Sequence, residues 1–229
     1  SGPFCTQLLA DLGADVIKIE PPEGDPVRAQ GALVDGLSWY FAAFNRNKRS
    51  VVLDLRSDAG KAALERLIAT ADAVVDNFRP GVMAAMGLDR ARLESLRPGI
   101  VHTSVTGFGE RGPYADRPAC DFVAQAVSGW MSMTGMPESG PLRSGPPVSD
   151  LVAGLYAVMS AVIAPVLLPE RLTPRVLAGF VLALGGTAML AELEMFVRAL
   201  ESAGSRASAV IVYSRQAAGF SAGADLREL

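Results

Sequence analysis

"PFCTQLLADLGADVIKIE", residues 3–20, sets a helix, its stop and a strand in immediate succession. The apolar positions up to Leu12 follow helical spacing, Gly13 stands where a C′ glycine ends a helix, and the β-branched run after it reads as a strand. The alternation continues downstream, where "SVVLDL" (50–55), "DAVVDN" (72–77) and "GIVHTSV" (99–105) read as further strands. Between them lie an amphipathic helix in "RSDAGKAALERLIATA" (56–71), with Ser57 or Asp58 as its cap, and a helical stretch in "PGVMAAMGLDRARLESLRPG" (80–99). Val- and Ile-rich strands joined by helical crossovers predict a mostly parallel, Rossmann-like α/β sheet with helices on both faces. In such sheets ligands bind beyond the C-terminal ends of the strands.

Composition narrows the chemistry. The chain has 229 residues, 50% hydrophobic and 20% charged, with a formal net charge of −3. That is a globular composition with no basic field for nucleic acid. Two cysteines, Cys5 and Cys120, make no disulfide framework, and nothing at the start reads as a signal peptide, so the cytoplasm is the expected compartment. The single histidine, His102, sits in a strand-like run. A His-rich zinc site is excluded, no metal is expected, and acid, base and nucleophile work falls mainly to carboxylates.

The segments flanking the strands are "EPPEGDPVR" (20–28), "FNRNKRS" (44–50), "DNFRPGV" (76–82) and "TGFGERGPYADRPACDF" (106–122). Cations, glycines and aromatics recur in them, and their convergence on one sheet edge points to an anionic ligand with a planar group. Further on, "SGPPVSDLVAGLYAV" (144–158) sets Asp150 between a Gly/Pro-rich approach and an apolar, helix-like run. Asp150 is then either the cap of that helix, a position aspartate favours, or a nucleophile held at its N-terminus. From about residue 163 the rhythm changes. Val176–Leu190 is an apolar run, short for a membrane span and interrupted by Gly-Gly, followed by an amphipathic helix (190–204), a strand "SAVIVYS" (208–214) and a glycine-containing turn (219–229).

Taken in order, "GPFCTQLLADLGADVIKIEPPEGDPVR", "NRNKRSVVLDLRSDAGK", "ADAVVDNFRPGV", "GLD", "TGFGERGPYADRPACDFVAQAVSG" and "PPVSDLVAGLYAV" resemble the N-terminal part of the class III CoA-transferases, the formyl-CoA and carnitine-CoA transferase family, over residues 1–162. The resemblance implies transfer of CoA between carboxylic acids through mixed anhydrides and a thioester on an active-site aspartate. It makes acyl-CoA and a carboxylic acid the substrates and Asp150 the nucleophile, which a capping geometry would also aim. Backbone amides of the same turn are expected to hold the oxyanion. It makes Asp121 a second catalytic residue beside the active site and its neighbour Gln125 a CoA-binding residue, with Asn77 and Phe78 along the CoA site and Leu53 and Arg56 near the adenine and nucleotide phosphates. Read structurally instead, Phe78 is a core residue and Arg56 a surface cation at a helix start. Ala85 replaces the basic residue usual before "MG", which removes a phosphate contact. The family's first strand, normally interior, has no counterpart ahead of Gly2, so an open place in the sheet is expected unless residues 163–229 supply a strand. That exposed edge and the apolar C-terminal third point to a homo-oligomer.

"MLAELEMFVRALESAGSRASAVIVYSRQAAGFSAGADLREL" (189–229) resembles the N-terminal piece of a crotonase-fold protein of the enoyl-CoA hydratase superfamily. That resemblance implies half an oxyanion hole at the Ala224 amide. The chain thus divides into a CoA-transferase-like α/β domain (1–162), an apolar connector (163–188) and a crotonase-like fragment (189–229). Three functions are open: a CoA-transferase acting through Asp150, a CoA-binding module without turnover, and a mosaic of two CoA-enzyme fragments.

Overall fold

The structure, a computed structural model, describes residues 1–167 and the strand Ser208–Val212, with side chains described for residues 1–161. Helix α1 (Gly2–Asp11) ends at a left-handed Gly13 with φ of +97°, whose amide returns to Ala10 O at 3.0 Å. Strand β1 (Asp15–Glu20) follows. A short hairpin, β2 (Leu33–Val34) and β3 (Leu37–Ser38), turns on Asp35 and Gly36, both at positive φ as a two-residue hairpin turn requires. The aromatic patch after it forms helix α2 (Trp39–Asn45), capped by Ser38 Oγ, which accepts from Phe41 N at 3.0 Å.

Strand β4 runs Lys48–Val52. It therefore starts earlier and stops sooner than the expected 50–55, and Leu53 and Asp54 turn off its end toward the ligand edge, with Leu53 N still bonded to Glu20 O at 2.9 Å. Of the two candidate caps of α3 (Asp58–Ile68), Ser57 does the capping, its Oγ accepting from Gly60 N at 3.0 Å. β5 (Ala73–Asp76), the short α4 (Val82–Ala85), α5 (Arg90–Leu96), β6 (Val101–Ser104), α6 (Asp121–Val127) and α7 (Val148–Leu167) complete the first 167 residues. Helix α7 crosses the division expected after residue 162 without a break.

The main sheet has the order β4-β1-β7-β5-β6, where β7 is Ser208–Val212, and every pairing in it is parallel. This is the 3-2-1-4-5 order of doubly wound sheets, with β7 in place one. The open place expected from the sequence is thus filled from the C-terminal segment. β7 pairs on both sides at once, Val210 opposite Ile17 of β1 and Val74 of β5. An interior parallel strand is covered on both faces, which suits the all-apolar centre of "SAVIV".

Successive residues of a strand face opposite sides, and the core splits accordingly. Ile19 and Val74 pack with Leu64, Ile68 and Leu93 under α3 and α5. Val16 and Val75 pack with Cys5, Leu9, Ala157 and Ala161 under α1 and α7. His102 is a strand residue as its context suggests, its Nε2 2.7 Å from Asp76 Oδ2 across the β5–β6 pair. Among the described residues no helix is long and apolar enough to cross a membrane. The run 176–190, the helix expected at 190–204 and Ala224 lie outside the described residues.

Candidate active site

A cleft of about 710 Å³ opens at the C-terminal ends of the strands. Its floor is the end of β1 (Ile19, Glu20), the turn after β4 (Leu53–Arg56), the loop after β5 (Asn77–Pro80) and the loop after β6 (Val105–Gly107). The first turns of α1, α6 and α7 form the remaining wall and bring Asp121 and Asp150 to it. This is the place the strand order predicts for a ligand.

Asp150 is not a cap. Helix α7 begins at Val148, so Asp150 lies within the first turn, and the capping oxygen comes from another helix. Asp121 Oδ1, at the start of α6, accepts from Ser149 N at 2.9 Å and from Asp150 N at 3.3 Å. Relieved of that task, the Asp150 side chain is 43% exposed in the cleft, with Oδ1 3.7 Å from Ser1 N at the head of α1. Two helix N-termini therefore place partial positive charge beside one carboxylate. The amides of Ser149 and Asp150 are committed to Asp121, so the oxyanion donors expected from the α7 turn are taken. Helix α1, by contrast, starts without a side-chain cap, which leaves the Gly2 and Phe4 amides free of helical partners.

Asp121 is itself held. It is 7% exposed, and Gln125 Nε2, one helical turn on, donates to its Oδ2 at 2.6 Å. Gln125 is 0% exposed and its Oε1 accepts from Ser144 N at 2.8 Å, so both ends of its amide are spent. The expected CoA contact at Gln125 does not fit this burial. Its amide instead ties the loop before α7 to α6, and through Asp121 it fixes the backbone that carries Asp150.

The remaining expected residues sit around the cleft. Asn77 packs on the head of α1, where a Cβ on Gly2 would stand 3.0 Å from Asn77 Oδ1, so a larger residue there would displace the Asn77 amide by a few tenths of an ångström. Phe78 lines the cleft yet belongs to the core cluster with Ile19 and Met83, so little of its ring is open to a ligand. Its amide donates to Asp76 Oδ1 at 2.9 Å, and Asp76 is fixed in turn by Ser104 and His102. Leu53 lines the floor and Arg56 the mouth, where the guanidinium is exposed and 3.6 Å from Glu23.

Several cleft residues were not singled out from the sequence. Arg79 and Arg117 line it from the loops after β5 and β6, Arg117 with its guanidinium 4.4 Å from the Tyr114 ring. They offer charge that Ala85 does not. The signal was present, since both loops carry a cation after a strand. Tyr40 also lines the cleft; burial pushes its phenol above the usual value, and the charges of Asp150 and Asp121 push it further. Beneath the floor, Glu20 accepts from Arg28 at 2.8 and 2.9 Å, from Ser50 at 2.6 Å and from Asp25 N at 3.0 Å. Lys18 pairs with Asp25 at 2.7 Å, and Arg28 lies 3.9 Å over the Phe41 ring. This buried network shapes the loop 21–28 that forms one lip. Among the described residues no group of three or more His, Cys, Asp or Glu is placed to hold a metal.

Over residues 1–170 the sequence matches the family described as CoA-transferase family III. The chain belongs to that family. It is 45% identical over 166 residues to the succinate–glutarate CoA-transferase of Agrobacterium fabrum, a match covering 69% of this chain and 42% of that protein. It is 46% identical over 159 residues to the formyl-CoA:oxalate CoA-transferase of Streptomyces avermitilis, covering 69% of this chain and 39% of that protein. The fold is similar to a CAIB/BAIF family protein from Brucella suis, with TM-score 0.69 and 42% identity over 72% of this chain and 45% of that one. A hypothetical protein from Mycobacterium tuberculosis gives TM-score 0.64 at 31% identity, covering 92% of this chain and 49% of that one. The chain spans about two fifths of the curated relatives it matches.

Proposed function

We propose that this protein transfers CoA from an acyl-CoA to a free carboxylic acid, with Asp150 as the nucleophile. The observation that carries this reading is a carboxylate relieved of capping, open to the cleft and set against two helix N-termini. One Oδ attacks the thioester carbonyl, the carbon–sulfur bond breaks, and CoA leaves as thiolate with a mixed anhydride on Asp150. The thiolate then attacks the Asp150 carbonyl, which releases the first acid and leaves an aspartyl-CoA thioester. The incoming carboxylate attacks that thioester, and the thiolate returned by this step takes the new acyl group and frees Asp150. Each step conserves charge and needs no redox partner.

The amides of Gly2 and Phe4 are the donors this geometry offers to the oxyanion of each tetrahedral intermediate. Asp121 and Gln125 act as positioning residues rather than as groups that touch substrate. Arg56, Arg79 and Arg117 supply cationic lining of the cleft for the CoA phosphates, and Leu53 and Asn77 line the same cleft as part of the CoA site. Succinyl-CoA with labelled glutarate is the first substrate pair to try, because a relative is named for these acids. Label is expected in glutaryl-CoA with the parent protein and none with Asp150→Asn; transfer that persists in Asp150→Asn overturns the assignment.

A further inference from the structure

We propose that Lys48 is a positioning residue for Asp150: its ammonium ties the first turn of α1 to the last turn of α2 and so holds the amide end of α1 against the Asp150 carboxylate. This rests on the CoA-transfer reading for its consequence in catalysis, but not for its geometry. Lys48 is the first residue of β4, and its backbone is fixed opposite Val16 in the parallel ladder. From there Nζ donates to Pro3 O at 2.7 Å, to Phe44 O at 2.7 Å and to Asn45 Oδ1 at 3.2 Å. An ammonium has three protons, and three acceptors from two helices take them.

The junction is reinforced beside that contact. The rings of Phe4 and Phe44 meet edge to face, 6.0 Å between centroids, so the residue after one tethered carbonyl packs on the residue that bears the other. On its far side the first turn of α1 lies against α7, where a Cβ on Gly154 would be 3.0 Å from Ser1 O and 3.3 Å from Cys5 N. The head of α1 is thus clamped between Lys48 and α7, and Ser1 N comes within 3.7 Å of Asp150 Oδ1. Lys48 lies behind the cleft wall and not along it. Its loss would take a shared donor from three acceptors, Pro3 O keeping only its local partners such as Thr6 Oγ1 at 3.2 Å, and leave the α1 head held from one side.

The test compares the parent protein with Lys48→Met and Lys48→Arg, the second keeping charge and donors. Two readings are taken: hydrogen exchange of the Cys5 amide, which closes the first turn of α1 on Ser1 O at 3.0 Å, and the rate of Asp150 adduct formation from succinyl-CoA alongside CoA affinity. In Lys48→Met, Cys5 exchange is expected to speed up by about tenfold or more. The adduct rate should fall by a similar factor, with CoA affinity held within about twofold, and Lys48→Arg should restore both readings. Unchanged Cys5 exchange in Lys48→Met overturns the tether. Adduct rate and CoA affinity falling together overturns the positioning role. If the parent forms no adduct at all, the transfer reading fails while Cys5 exchange still decides the tether.

Discussion

Glu20 is a carboxylate almost without solvent, 2% exposed, and what keeps it charged is a ring of donors. Burial pushes its pKa up, but Arg28, Ser50, the Asp25 amide and Lys18 outweigh that and hold it at about 2, against an ordinary 4.5. The folded value lies below the unfolded one, so the stabilisation is complete above pH 4.5 and is lost as pH falls toward 2. A difference of that size corresponds to about 3 kcal/mol. Urea unfolding at pH 7, 4.5 and 3 should show this acid loss in the parent and little of it in Glu20→Gln; equal losses in both would show that Glu20 is not the group responsible. Lys48 gives a slope of the same sign in a higher pH window. Burial and the nearby Lys18 charge push it down to about 7, so its contribution to stability rises with pH from there toward its ordinary 10.5, and Lys48→Met should flatten that rise. At this scale the sequence showed which acid to inspect but not its partners. Asp150 stands out beside Gly and Pro, whereas Asp121 meets it across 28 or more residues of chain, and no local spacing reports that α6 and α7 touch.

Helices α1 and α7 approach so closely that a side chain at Gly154 has no room. Its Cβ would lie 2.9 Å from the Phe4 ring and 3.0 Å from Ser1 O, and the second neighbour is backbone, which cannot rotate away. Gly154→Ala should therefore cost about 1–3 kcal/mol and slow Asp150 acylation, since the two helix heads that flank the carboxylate are forced apart. A variant as stable and as fast as the parent would contradict this packing. The elements themselves were legible because their signals are local. The Gly13 stop, a cap at Ser57 or Asp58 and the β-branched cores of β1, β5 and β6 each occupy a few consecutive residues. Strand β4 was placed late because "SVVLDL" has the composition of a strand throughout, while its end is set by where β1 stops offering partners at Glu20.

Across the whole molecule the decisive feature is β7, a strand far along the chain that occupies the middle of the sheet. Its β-branched composition made it recognisable as a strand, but composition does not say which place a parallel strand takes; that depends on which place the other strands leave open. Val210→Pro would remove an amide from a strand paired on both sides and should cost about 3 kcal/mol or more, read as a lower urea midpoint. An unchanged midpoint would place Ser208–Val212 outside the sheet. The fold class and the position of the cleft followed from strand alternation, whereas the completion of the sheet could be read only from the three-dimensional arrangement.

The account turns on a covalent bond to one side chain. Incubation with succinyl-CoA, quenching with hydroxylamine and peptide mass spectrometry should find the hydroxamate on Asp150 and on no other acid, and none in Asp150→Asn. Modification elsewhere, or CoA bound with Asp150 untouched, would contradict it.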